Sequence, residues 1–206
     1  MLASLFMVFT SQAALTTITW ADNHSDHAGE FILTQSEVPT FNTFCVEMNQ
    51  YINVGNTYSY LISNESDGGV NGPSPVTLGT AWLYSSFRNG NLSGYVGTYD
   101  QQTSLQNTFW YLQGEITDKS GTGNWLNLVQ SSLGQNANLF SAANGAYGVD
   151  IWNLFDANGV QCQSQLGITA VPEPSTALAG ALALLFIPWA LLSTRSKIIR
   201  IPYNNK

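Results

Sequence analysis

The sequence predicts an α+β fold: one β-rich domain with about three helices inserted between its strands, followed by a C-terminal transmembrane helix. Three observations carry this. The first third is dense in β-branched and aromatic residues separated by turn residues, three later segments show helical spacing or capping residues, and residues 177–192 form a sixteen-residue run without a charge. In order, strands are expected at Leu15–Trp20, Glu30–Thr34, Thr40–Glu47 and Thr57–Ile62. Residues 64–75, NESDGGVNGPSP, read as a loop. Helices follow at Thr77–Phe87, with Leu78, Ala81, Trp82 and Ser85 on one face, at Gln101–Leu112 behind an Asp100 cap, and at Trp125–Leu133 behind an Asn124 cap. In the second helix Leu105, Phe109 and Leu112 recur at spacings of four and three. The chain then returns to strand at Ala146–Phe155 and Val160–Ile168. No segment repeats and no linker-like stretch divides the body, so 206 residues hold one domain between two ends of different character.

Composition narrows the function. Only 9% of residues are charged, while Gly reaches 18, Trp 6 and Tyr 9, so polarity comes from amides and hydroxyls, as in β-rich exported proteins. Up to Glu173 the chain carries Arg88 and Lys119 against all thirteen acidic residues, a net of −11. Such a surface repels a phosphate backbone, and nucleic acid is excluded as a partner.

Both ends read as addresses. Leu2–Phe9 is apolar and is followed by Ser11-Gln12-Ala13, so residues 1–13 are expected to be a signal peptide cut after Ala13, with Ala21 the second choice. A basic leading segment is lacking, since Arg88 is the first basic residue, and a buried first strand is the alternative. At the other end, the run 177–192 extends through Thr176, Ser193 and Thr194 to a helix over 176–194, close to the length needed at about 1.5 Å per residue to cross a core of about 30 Å. The basic tail 195–206, with Arg195, Lys197 and Arg200 nearest the helix, sets the tail cytoplasmic and the acidic body outside.

Val171-Pro172-Glu173-Pro174-Ser175, then an apolar helix, then basic residues resemble the PEP-CTERM sorting signal. That resemblance covers residues 171–206 and implies export in a Gram-negative bacterium that makes extracellular polysaccharide. It also implies a precursor held in the inner membrane, and cleavage near the Pro-Glu-Pro motif by exosortase for release or attachment at the cell surface. The tail departs from the family pattern by running on through Ile198, Ile199 and Ile201 to Lys206 instead of ending in a tight Arg cluster.

Two segments of the body, residues 14–170, carry candidate chemistry. Phe44-Cys45-Val46 lies in an expected strand and Leu105-Gln106-Asn107-Thr108-Phe109-Trp110 on an expected helix. Together they resemble the thioester domain of bacterial surface adhesins, which pairs an aromatic-or-Leu, Cys, apolar triplet with an apolar-Gln-x-x-apolar-apolar hexad. The resemblance implies that the Cys45 thiol is acylated by the Gln106 side chain with loss of ammonia. The product is an internal thioester that captures an amine on a surface target: a covalent latch, not a turnover enzyme. A thioester lasts only where water is kept out, and Phe44, Val46, Phe109 and Trp110 are the residues expected to surround it.

The competing reading is a disulfide, because Cys45 and Cys162 are the only cysteines and an even count in an oxidising compartment usually means a bridge. Cys45 cannot hold both bonds. Without the thioester, the chain reads as a non-covalent structural or carbohydrate-binding matrix protein, with extracellular polysaccharide as partner. Tyr58, Tyr60, Tyr95 and Tyr99 are available to stack on sugar rings, although alternating Tyr is ordinary strand packing. An extracellular hydrolase ranks last: it needs two of Glu47, Asp100 and Glu115 across one cleft, and their spacing selects no pair. His24-Ser25-Asp26-His27 has metal-like composition but no completing ligands, and no metal or other cofactor is expected. Both histidines sit in that segment, no Gly-x-Ser-x-Gly elbow occurs, and Gly121-Thr122-Gly123 lacks the lysine of a phosphate loop.

Overall fold

A computed structural model describes residues 14–21, 29–35 and 39–168. The expected signal peptide 1–13, the His24–His27 segment, the sorting motif Val171–Ser175, the helix 176–194 and the basic residues Arg195, Lys197 and Arg200 lie outside the described residues. No helix among the described residues is long and apolar enough to cross a membrane.

Six strands form one antiparallel sheet: β1 (Leu15–Trp20), β2 (Phe31–Gln35), β3 (Phe41–Thr43), β4 (Thr57–Ser63), β7 (Val149–Phe155) and β8 (Gln165–Ile168), in the order β3-β2-β1-β4-β7-β8. The sheet is nearly closed, because the chain beyond β3 leaves β2 and pairs with β8. Leu166 N donates to Phe44 O and Val46 N donates to Ser164 O, both at 3.0 Å. This explains why the expected strand Thr40–Glu47 is interrupted: one extended stretch serves two neighbours in turn. Inside the predicted loop, β5 (Glu65–Ser66) and β6 (Ser74–Pro75) form a small separate hairpin.

Strand alternation sorts the apolar residues into two cores. Ile18, Phe31, Leu33, Phe41, Cys45, Tyr58, Trp152 and Leu154 fill the inner face of the curled sheet. Phe44, Val46, Val149, Ile151 and Leu166 face the other way, onto α1 (Leu78–Arg88), α2 (Tyr99–Gln113) and α3 (Trp125–Leu133). The described domain is therefore β-rich α+β with three helices layered on one face of the sheet.

Several details depart from the sequence reading. Helix α2 begins one residue before Asp100 and is capped by Thr98, whose Oγ1 accepts from Gln101 N at 3.4 Å; Asp100 sits in the first turn instead. Asn124 occupies the position before α3, but its backbone is already helical (φ −92°, ψ −3°) and its side chain makes no capping bond. The buried face of α1 is Thr80, Ala81, Leu83 and Tyr84, because the Tyr84 hydroxyl donates to Asn42 O at 2.9 Å and turns that side of the helix to the sheet. Strand β7 starts later than expected, after a tight turn over Ala146–Gly148 with Tyr147 at φ 62°. The final strand is short because of a bulge: Gln161 lies opposite Phe155 and Gln165 opposite Trp152, so four steps on one side match three on the other. That bulge turns the amides of Gln163 and Ser164 away from β7, toward Tyr51 and Glu47.

Candidate functional site

Cys45 and Gln165 face each other where the sheet closes. The flanking bonds at Phe44–Leu166 and Val46–Ser164 make this a non-hydrogen-bonded pair, so the N–H and C=O of Cys45 point away from β8. On that side, continuing the β2–β3 register in which Phe31 lies opposite Thr43 would bring Gly29 opposite Cys45. The side chain of Gln106 takes that place. Its Oε1 accepts from Cys45 N at 2.9 Å and its Nε2 donates to Cys45 O at 2.9 Å, so one carboxamide substitutes for a strand residue. Gly29, at φ 92°, leaves the room: a Cβ there would lie 2.7–2.9 Å from Gln106 Cγ, Cβ and Oε1. Any side chain at position 29 would be strained and would push on Gln106.

The residues that meet here come from opposite ends of the local order. Alternation along Phe44-Cys45-Val46 sends Cys45 into the sheet interior and its neighbours into the helical layer. On α2, Gln106 is 2% exposed and shares a buried stripe with Gln102, Leu105, Phe109, Leu112 and Gln113. Phe109 is fully buried and fixes the helix, its ring centroid 5.0 Å from that of Phe44 and 6.2 Å from that of Tyr84.

Cys45 and Gln106 both line a cavity of about 570 Å³. Trp20, Phe31, Ile52, Val54 and Trp110 give it apolar walls, and Gln50, Asn53 and Gln163 contribute amides. Met48 and Tyr51 belong to the same lining and are 47% and 82% exposed, which puts them at its mouth. No charged side chain lines it among the described residues. Of the four residues expected to shield the pair, Trp110 lines the cavity, whereas Phe44, Val46 and Phe109 pack behind it in the helical core. The shielding that faces the cavity comes from Trp20, Phe31, Ile52 and Val54, which no short motif identified.

The chemistry follows from the hydrogen bonds. Attack on a carboxamide carbon pushes negative charge onto its oxygen, and Cys45 N–H already donates to Gln106 Oε1 in the direction that would stabilise it. The thiol itself is not pre-ionised. Burial pushes its pKa far above the usual thiol range, Gln165 Nε2 at 3.4 Å from Sγ pulls it down, and the nearby Glu47 raises it further. Were the thiol to attack the carboxamide, its proton would have to pass to the departing nitrogen, which would leave as ammonia.

Cys162 is half-buried, its Sγ 3.5 Å from Val160 O, and both cysteines are free thiols. Of the acids in the hydrolase reading, Glu47 and Glu115 lie near enough for the charge of Glu115 to add to the effect of burial in raising the Glu47 pKa, but neither is among the residues lining the cavity described above. Glu47 accepts from Ser164 N at 2.7 Å through Oε2, Glu115 accepts from Met48 N at 3.0 Å and Val70 N at 3.1 Å, and Asp100 lies exposed at the start of α2. Both buried acids hold backbone amides. Tyr58 and Tyr60 pack inside the sheet, Tyr60 stacked on Trp152 at 4.5 Å, and the Tyr95 hydroxyl donates to Glu30. Among the described residues no cluster of three His, Cys, Asp or Glu side chains could hold a metal ion.

Glu47 gives a measurable pH dependence. Burial raises its folded-state pKa above the ordinary carboxyl value, the bonds from Ser164 opposing the shift, and Oε1 has no partner. The folded state then holds its proton more tightly than the unfolded chain, so this contribution to stability falls as pH rises from about 4.5 through the folded-state value. Glu47→Gln is expected to flatten that fall. Thermal melts of both proteins from pH 4 to 8 check it, and parallel curves would show that Glu47 does not titrate in this way.

No protein-family model, curated protein or solved structure matches this chain. The two family resemblances therefore rest on the quoted residues alone.

Proposed function

We propose that this chain is an exported cell-surface or extracellular-matrix protein that uses an internal Cys45–Gln106 thioester once, for covalent attachment to a surface target. The observation that carries the reading is the clamp of the Gln106 carboxamide on both backbone polar groups of Cys45, in the wall of a cavity whose described lining is largely apolar and carries no charge. The clamp brings two residues 61 positions apart into contact before any reaction, the kind of preorganisation an internal acyl transfer needs, and the apolar walls favour the exclusion of water. The address half of the proposal rests on Val171–Ser175, the apolar run and the basic tail, with exosortase as the processing partner and the membrane as the site of the precursor.

One observation favours a second reading, a non-covalent matrix protein in which Gln106 is a structural pin. Further along the same helix, Gln113 clamps another backbone segment in the same manner, Oε1 accepting from Thr77 N at 2.9 Å and Nε2 donating to Pro75 O at 3.3 Å, with no thiol involved.

Intact mass separates the two. The thioester predicts a deficit of one ammonia, absent in Cys45→Ala and replaced by an amine adduct after methylamine. A deficit of two hydrogens that disappears on reduction would mean a Cys45–Cys162 disulfide, and an unmodified mass would mean the pin.

A further inference from the structure

The cavity constrains which nucleophile the thioester could accept, an inference that rests on the thioester reading above. The reaction is acyl transfer: the nitrogen lone pair attacks the Gln106 carbonyl carbon, the C–S bond breaks as the C–N bond forms, and the proton lost by nitrogen ends on the Cys45 sulfur. Only an unprotonated amine can attack. A lysine amine, with pKa about 10.4, would have to enter as ammonium or be deprotonated first. The described lining offers neither a carboxylate to pair with the ammonium nor a base to take its proton; Glu47, whose charge reaches Cys45, is not among the lining residues, accepts from Ser164 N at 2.7 Å and is biased by burial toward its protonated form. Burying an unpaired ammonium is costly, and the faces of Trp20 and Trp110 would hold it in the protonated, unreactive form.

The wall chemistry favours a different carrier. Tryptophan faces beside the amides of Gln50, Asn53 and Gln163 suit a ring that has an apolar face and hydroxyls at its edge, and Tyr51 at the mouth extends the stacking surface outward. An amine on such a ring sits next to hydroxyl and acetal carbons. Their electron withdrawal lowers its pKa well below that of lysine, so a sizeable neutral fraction exists near pH 7. A glycan carrying many such amines is cationic as a whole, which complements the net −11 of the chain up to Glu173. The volume of about 570 Å³ lies within the range of small-ligand sites.

We infer that the covalent target of Cys45–Gln106 is a free amino sugar within an extracellular polysaccharide, and that the Trp110 side of the cavity selects the sugar ring over a lysine side chain. The full-length chain is incubated at pH 7.5 with a glucosamine trimer, its fully N-acetylated counterpart, Nα-acetyl-lysine or methylamine, and adducts are followed by intact mass. The glucosamine trimer is expected to react at least about tenfold faster than Nα-acetyl-lysine, and the N-acetylated trimer not at all. Trp110→Leu is expected to lower the ratio of the amino-sugar rate to the Nα-acetyl-lysine rate, each taken relative to that variant's own methylamine rate, and an unchanged ratio would overturn the role given to Trp110. Methylamine reactivity with lysine equal to or faster than the amino sugar would overturn this inference and leave the thioester standing. A mass with no ammonia deficit and no methylamine adduct would overturn both.

Discussion

Gln106→Leu is expected to destabilise the domain by about 2–6 kcal/mol, although leucine is similar in size and more apolar. The cost comes from what is left behind. Cys45 N–H and C=O, both turned away from β8 and each bonded at 2.9 Å to the glutamine amide, would lose their partners at a site where Cys45 is 3% exposed. An unsatisfied buried backbone group costs about 1–3 kcal/mol, and two are created at once. Denaturant melts measure the loss. Gln113→Leu makes a comparison within the same helix, since it too would strand two backbone groups, Thr77 N–H and Pro75 C=O. Both variants should melt early, but only Gln106→Leu should abolish an ammonia deficit in the mass. A Gln106→Leu protein as stable as the parent would mean that water or a rearranged strand satisfies Cys45 and that the clamp contributes little.

Phe109→Ala is expected to cost about 3–5 kcal/mol, the usual range for removing a fully buried phenylalanine ring. The ring packs against Phe44 and Tyr84, so it joins the helix carrying Gln106 to the strand carrying Cys45 and to α1. Its loss should therefore loosen the Cys45–Gln106 register as well as the core, and thioester occupancy in the surviving folded protein should fall. Val96→Ala, at a position 78% exposed, serves as the control and should leave both stability and occupancy unchanged. Full occupancy in a destabilised Phe109→Ala protein would separate packing from site geometry and count against this coupling.

The candidate pair was legible because its signals are local. A cysteine flanked by apolar residues in a β-type stretch, and a glutamine beside the Leu105–Phe109–Leu112 stripe, can each be read without knowing the partner. What makes them a site was not legible. Gly29 is an ordinary loop glycine until the register of β2 and β3 puts it behind Gln106, and Gln165 is an ordinary strand residue until sheet closure sets it against Cys45. The cavity wall draws on Trp20, Ile52, Val54 and Trp110 from separate parts of the chain. No window of sequence contains them together.

By itself the sequence determined the class of fold, since strand and helix periodicity follow from side-chain alternation and capping that act over a few residues. It also determined the acidic charge of the body, and it offered Cys45 and Gln106 as candidates and a sorting signal in the last 36 residues as an expectation. Tertiary structure decided how the sheet closes, which helix face is buried, that Thr98 and not Asp100 caps α2, and that Phe44 and Phe109 support the site from behind while Trp110 faces the cavity. The division has one physical cause. Local propensity depends on neighbours in sequence, whereas register, closure and cavity shape depend on contacts between residues such as Cys45 and Gln106, which only the packed chain brings within 3 Å.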